Sequence, residues 1–132
     1  SEEQGEAAEQ DLPVLDKEET MRRFGGNEAL VREVYSIFSQ ETPEVMERLK
    51  QALSNDDLRG IYFAAHTIKG SAARIGAEPC RETAAELEQA ARAEQKEDLP
   101  VLTERLDNEF DRVLQVLQGQ EGVQPEMRAG QP

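Results

Sequence analysis

The spacing of its apolar residues constrains this chain most. From about residue 13 to 118 they recur at intervals of three and four. There is no strand-like alternation and β-branched runs are few. Gly25-Gly26, Ser54-Asn55-Asp56, Gly76 and Glu97-Asp98 divide the pattern into one short and four long stretches. An amphipathic stripe is stable only against other stripes, and short connections favour antiparallel neighbours. The expected fold is therefore all-α: an antiparallel up-down four-helix bundle with a short extra N-terminal helix.

Local signals place the elements. Asp16, with Glu19 at the capping-box position, opens the short helix, which ends at Gly25-Gly26. Asn27 opens the next, whose inward residues are Leu30, Val34, Ile37, Phe38, Val45, Leu49 and Leu53. Pro43 interrupts that run but the apolar phase survives it, so one kinked helix is expected. Ser54-Asn55-Asp56 supplies a turn and cap for a helix ending near Gly76. Another then runs from Ala77 to about Glu94 with Cys80, Ala84, Leu87 and Ala91 on one stripe. The last tolerates Pro100 in its first turn and turns Leu99, Leu102, Leu106, Phe110, Val113, Leu114 and Leu117 inward. Residues 1–12 read as a flexible acidic linker, 13–118 as the bundle, and 119–132 as a flexible polar tail.

Charge and composition exclude several roles. The formal net charge is −13, with much of it in the two ends (Glu2, Glu3, Glu6, Glu9, Asp11, Glu121, Glu126). That argues against nucleic acid or an anionic membrane as the main partner. No apolar run is long enough to span a bilayer. The lone Cys80 permits no internal disulfide or metal cluster and fits a reducing cytoplasm, the expected location. The Ser1 start and two polar ends are those expected of a module within a longer protein. A monomer is the default, because one bundle can bury all four stripes.

The single histidine stands out. With about 100° per residue, Ile61, Ala64, Ala65, Ile68, Ala72 and Ile75 form the buried stripe of its helix. His66 faces the other way, framed by Arg59, Tyr62, Phe63, Lys69, Gly70 and Ala73. Gly70 breaks a local rule, since glycine inside a helix costs roughly 1 kcal/mol relative to alanine. What it gains is clearance for another protein to approach the ring. Lys69 is placed to neutralise a phosphoryl group on His66, and a neutral imidazole is a competent nucleophile. The helix carries no nearby acid, phosphate-cradling loop or metal ligands. Such a residue receives and hands on a group without turnover of its own.

The stretch HTIKGSAARIGA resembles the signature of histidine-containing phosphotransfer (HPt) domains: His, then Lys-Gly after two residues, a small residue, and Gly-Ala at the helix end. The resemblance covers roughly residues 13–118, including FGGNEALVREVYSIFSQETPEVMERLKQAL and LEQAAR. It implies that His66 takes a phosphoryl group on Nε2 from a receiver-domain aspartate and passes it to another receiver. Lys69 and Gly70 match the family's phosphate-neighbouring lysine and close-approach glycine, and Glu88 stands where the family carries an acceptor for the histidine Nδ1–H. Ser71 matches a small polar position without a derived role. No cofactor is implied for this chain, Mg²⁺ being expected only on the partner receiver.

Bland readings stand beside these. Tyr62 and Phe63 fit either half-buried bundle positions or a shallow docking patch, Arg59 and Arg74 either plain surface or steering of an acidic receiver, and Glu88 a solvated flank. Cys80 reads as a small core residue. The preferred function is a phosphorelay intermediate, partnered by response-regulator receivers and a hybrid histidine kinase. The alternatives are the N-terminal phosphoacceptor domain of a chemotaxis-type kinase and an interaction bundle that is never phosphorylated.

Overall fold

The structure, a computed structural model, describes residues 14–130, with side chains through residue 119. The expected linker at 1–12 lies outside the described residues, as does the end of the tail. Among the described residues all regular structure is helical: α1 (Lys17–Arg23), α2 (Glu28–Ser54), α3 (Leu58–Ile75), α4 (Glu78–Arg92) and α5 (Leu99–Gly130), with a 3₁₀ turn at Lys96–Asp98 before α5. Each long helix packs on its sequence neighbour, and α5 closes onto α2, while the diagonal pairs α2/α4 and α3/α5 make no close approach. This is the up-down ring of a four-helix bundle.

The caps explain the boundaries. Asp16 Oδ1 accepts the Glu19 N–H at 3.0 Å, and Asn27 Oδ1 accepts that of Leu30 at 3.1 Å. For α3 the cap is Asp57, one residue beyond the expected turn, whose Oδ1 accepts the Gly60 N–H at 3.0 Å. Asp56 instead takes the left-handed turn conformation, φ 54°, which short polar side chains tolerate. Helix α2 runs unbroken through Pro43. That residue is on the exposed side, where water can satisfy the carbonyl it leaves unpaired.

Two expectations about α2 are corrected. Leu30 and Ile37 are 38% and 42% exposed. The buried line is Val31, Tyr35, Phe38, Thr42, Val45, Met46, Leu49 and Ala52. Val31, Phe38, Val45 and Ala52 repeat every seven residues, as do Tyr35, Thr42 and Leu49, the spacing of a bundle seam. Tyr35 and Thr42 hold core places despite their hydroxyls, which shifts the true stripe about one residue from the one the large aliphatics suggest. On α5, Leu99, Leu106, Phe110, Val113 and Leu117 are buried, and Leu102 and Leu114 are half-buried. The helix also continues past Gly119 to Gly130, where a tail was expected to start. Extending a formed helix fixes one residue per hydrogen bond gained, so a polar sequence can follow an established one.

Small residues set the distance between α3 and α4. Ala65, Ala72 and Ala84 are fully buried and Ala91 nearly so, which lets the two backbones approach closely. Helix α1 clasps the far end of α3. The Asp16 N–H donates to the Gly76 carbonyl at 2.8 Å, the Thr20 hydroxyl lies 2.9 Å from the Ile75 carbonyl, and Arg23 Nη1 donates to the Ala73 carbonyl at 2.7 Å. The Ile75 and Gly76 carbonyls lie past the last intrahelical bonds of α3 and would otherwise need water, while the Ala73 carbonyl also accepts the Gly76 N–H at 3.3 Å. Gly76 ends the helix at φ 75°, so tightly that an added Cβ would lie 2.7 Å from Thr20 Oγ1.

Candidate functional site

His66 sits midway along α3 with its side chain 56% exposed, while its neighbours Ala65 and Ile68 are fully buried. Across the α3–α4 seam, Glu88 Oε2 is 2.9 Å from His66 Nδ1, and Glu88 Oε1 is 2.6 Å from Lys69 Nζ. One carboxylate thus holds the imidazole with one oxygen and the ammonium with the other. Glu88 is only 5% exposed, so it is a buried charge with both oxygens engaged. Burial pushes its carboxyl up, but the hydrogen bonds and charges of Lys69 and His66 outweigh it and hold the group below the usual carboxylate range.

That ionisation assigns the tautomer. A carboxylate only accepts, so Nδ1 carries the proton and donates it. In the neutral ring Nε2 then keeps its lone pair, on the side away from Glu88. Lys69 has three N–H donors, and the bond to Glu88 leaves the others for an incoming anion.

The ring has aromatic company. Tyr62, one turn earlier on α3, lies nearly parallel to His66, with centroids 6.0 Å apart and an interplanar angle of 16°. Phe63 meets Tyr62 edge-on at 5.3 Å and is itself 53% exposed. Arg59 lies 5.8 Å from the Phe63 centroid. Arg92, on α4, lies 5.4 Å from the Tyr62 centroid and donates from Nη2 to the Tyr62 hydroxyl at 3.2 Å. On the other side of His66 the surface is low. Gly70 is exposed and a Cβ there would meet nothing within 4 Å, so no packing inside the fold demands a glycine. Ala73, partly exposed, continues this strip toward the α1 clasp.

A family model of the Hpt domain matches residues 33–116. The chain belongs to the Hpt domain family. Hpt domains are histidine phosphotransfer modules of phosphorelays, and the matched residues run from α2 into α5, enclosing all of α3 and α4. The fold is similar to that of histidine-containing phosphotransfer protein B (HptB) from Pseudomonas aeruginosa PAO1. The TM-score is 0.77 and identity 24%, over 83% of this chain and 96% of that one. It is also similar to the HPT domain of a sensor hybrid histidine kinase from Shewanella, with TM-score 0.73 and 20% identity over 80% and 92% of the two chains. No curated protein matches the chain in sequence.

In this Hpt domain the structure brings His66, Lys69 and Glu88 into direct contact and gathers Arg59, Tyr62 and Phe63 beside them, with Gly70 and Ala73 on the opposite flank. Glu88 is not on a solvated flank but buried at the seam. Tyr62 is half-buried and Phe63 exposed. Arg92 is the neighbour that sequence reasoning missed. The signal was present: it follows Glu88 by four residues, hence on the same face of α4. Among the described residues no group of His, Cys, Asp and Glu could hold a metal ion, and no helix is long and apolar enough to cross a membrane.

Proposed function

We propose that His66 is the phosphoryl acceptor of this Hpt domain, exchanging the group with aspartates of response-regulator receiver domains. The observation that carries this is that the chain's one histidine has Nδ1 tied to a buried carboxylate while its side chain stays 56% exposed. A family whose chemistry runs through a histidine leaves this chain no other residue for it.

The step balances on the residues present. The Nε2 lone pair attacks the phosphorus of the aspartyl phosphate; the N–P bond forms as the P–O bond to the aspartate breaks, returning a carboxylate to the receiver. The ring keeps its Nδ1 proton and becomes a phospho-imidazolium, whose positive charge faces Glu88. Lys69 meets the phosphoryl oxygens and Gly70 leaves room for the receiver to approach. Return transfer is the same path reversed. The Mg²⁺ such transfer uses belongs to the receiver, and this chain supplies no cofactor. The acidic composition, −13 overall, supports a protein partner rather than nucleic acid. The domain acts as a monomer in the cytoplasm, within or beside a hybrid kinase.

Incubation with a phosphorylated receiver tests the reading. Acid-labile, base-stable label is expected on the parent chain and absent from His66→Gln, and equal labelling of the two would overturn it. Attachment to a chemotaxis-type kinase is the competing context. It predicts label from an ATP-charged kinase domain and none from a receiver.

A further inference from the structure

The His66–Glu88 contact is one rung on the seam between two antiparallel helices. One turn back on α3 is Tyr62, and one turn forward on α4 is Arg92. These two also meet, with the Arg92 guanidinium 5.4 Å from the Tyr62 centroid and its Nη2 donating to the hydroxyl at 3.2 Å. The rungs are joined along α3 by the near-parallel Tyr62 and His66 rings, 6.0 Å apart. This lies inside the range over which aromatic pairs attract.

We propose that the Arg92–Tyr62 pair is a positioning device, which fixes the plane of the His66 imidazole so that Nε2 points along the line of phosphoryl transfer. The inference rests on His66 being the acceptor. One hydrogen bond cannot orient a ring alone. With Nδ1 tethered to Glu88, the imidazole still swings about that tether, carrying Nε2 through an arc. A flat surface against one face removes the swing toward α3's N-terminal side. Tyr62 serves only if its own ring is held, and three contacts hold it: the Phe63 edge at 5.3 Å, the cation over its face, and the hydrogen bond at its hydroxyl. Arg92 acts solely through Tyr62. The arrangement matters because displacement of a reacting atom by about 1 Å can cost as much as a hundredfold in rate.

The competing role for the same residues is contact with the receiver, and kinetics separate the two. A docking residue changes the receiver concentration giving half-maximal rate, whereas a positioning residue changes the rate at saturation. Transfer from a phosphorylated receiver is measured over a range of receiver concentrations for the parent, Tyr62→Leu, Tyr62→Phe and Arg92→Gln. Melting curves check that each variant is folded. Tyr62→Leu is expected to lower the saturating rate about tenfold with half-saturation within about twofold of the parent. Arg92→Gln gives a smaller loss of the same kind, and Tyr62→Phe, which keeps the ring face, restores most of the rate. An unchanged saturating rate, or a loss recovered entirely at high receiver concentration, overturns the proposal.

A second measurement needs no transfer at all. The His66 Hδ2 and Hε1 resonances in the parent and Tyr62→Phe should be displaced by the neighbouring ring, and the displacement should vanish in Tyr62→Leu. Identical shifts in all three overturn the pairing. If the parent takes no label from any receiver, the acceptor reading fails, and the resonances still decide whether Tyr62 holds the ring.

Discussion

Glu88 Oε2 and His66 Nδ1, 22 residues apart in sequence, meet at 2.9 Å across the α3–α4 seam. The carboxylate is buried and the imidazole is not, so the anchor is rigid while the ring stays accessible. Lys69 closes on the other carboxylate oxygen at 2.6 Å, and the three side chains act as one unit.

Loss of Glu88 should therefore cost rate more than fold. Glu88→Ala is expected to slow transfer to His66 by about tenfold or more, comparable to losing the partner that orients a metal-bound histidine. Glu88→Gln, whose amide oxygen still accepts from Nδ1, should keep more of the rate. Stability carries a pH signature as well. A carboxyl held below its ordinary value contributes stability above the unfolded value, about 4.3, and loses it as pH falls through the folded value. Urea melts from pH 7 down to acid should show this loss in the parent and a shallower one in Glu88→Gln.

Gly70 separates stability from function. A Cβ there meets nothing within 4 Å, so Gly70→Ala should stabilise the helix by up to about 1 kcal/mol. The same change narrows the approach to Nε2. Melting temperature should rise while transfer slows, and Gly70→Leu should slow it further. A rise in both would show that the glycine is not there for clearance.

Gly76 should show the reverse. Its φ of 75° and the 2.7 Å approach of an added Cβ to Thr20 Oγ1 leave no room for a side chain. Gly76→Ala should cost about 1–3 kcal/mol in a denaturant melt, and loosen the α1 clasp on the end of the histidine helix. Phosphotransfer by the remaining folded fraction should be little changed, since the clasp is remote from Nε2.

Glu109 on α5 is a place where the fold holds a carboxyl unfavourably. Burial pushes it above the usual range, its Oε1 is buried without a hydrogen-bond partner, and the charges of Arg105 and Arg112 only partly oppose this. A raised folded value means that stability is lost as pH climbs from the unfolded value through the folded one. Glu109→Gln is thus expected to raise the melting temperature at pH 7 and to have little effect at pH 4. An equal gain at both would assign the effect to packing.

Much of this was legible along the chain. The period of the apolar residues specified helices, the caps at Asp16 and Asn27 and the left-handed Gly76 specified their ends, and His66, Lys69 and Gly70 fell on one exposed face. Each of these depends on residues within a turn or two of one another, where backbone geometry alone fixes the relationship. The α2 stripe was misread at Leu30 and Ile37. Tyr35 and Thr42 fill core positions that hydrophobicity alone does not award them, and only packing against α3 and α5 reveals which face is inward.

What the sequence by itself determined is the candidate acceptor: one histidine, opposite a buried stripe, beside a lysine and a costly glycine. What only the tertiary structure decided is how that histidine is held. The family resemblance already pointed Glu88 toward His66 Nδ1, but its closing on Lys69 as well and the Arg92 grip on Tyr62 depend on how closely α4 approaches α3 and in which register. Those are set by the alanines packed between the two helices, a long-range fit that no local spacing encodes.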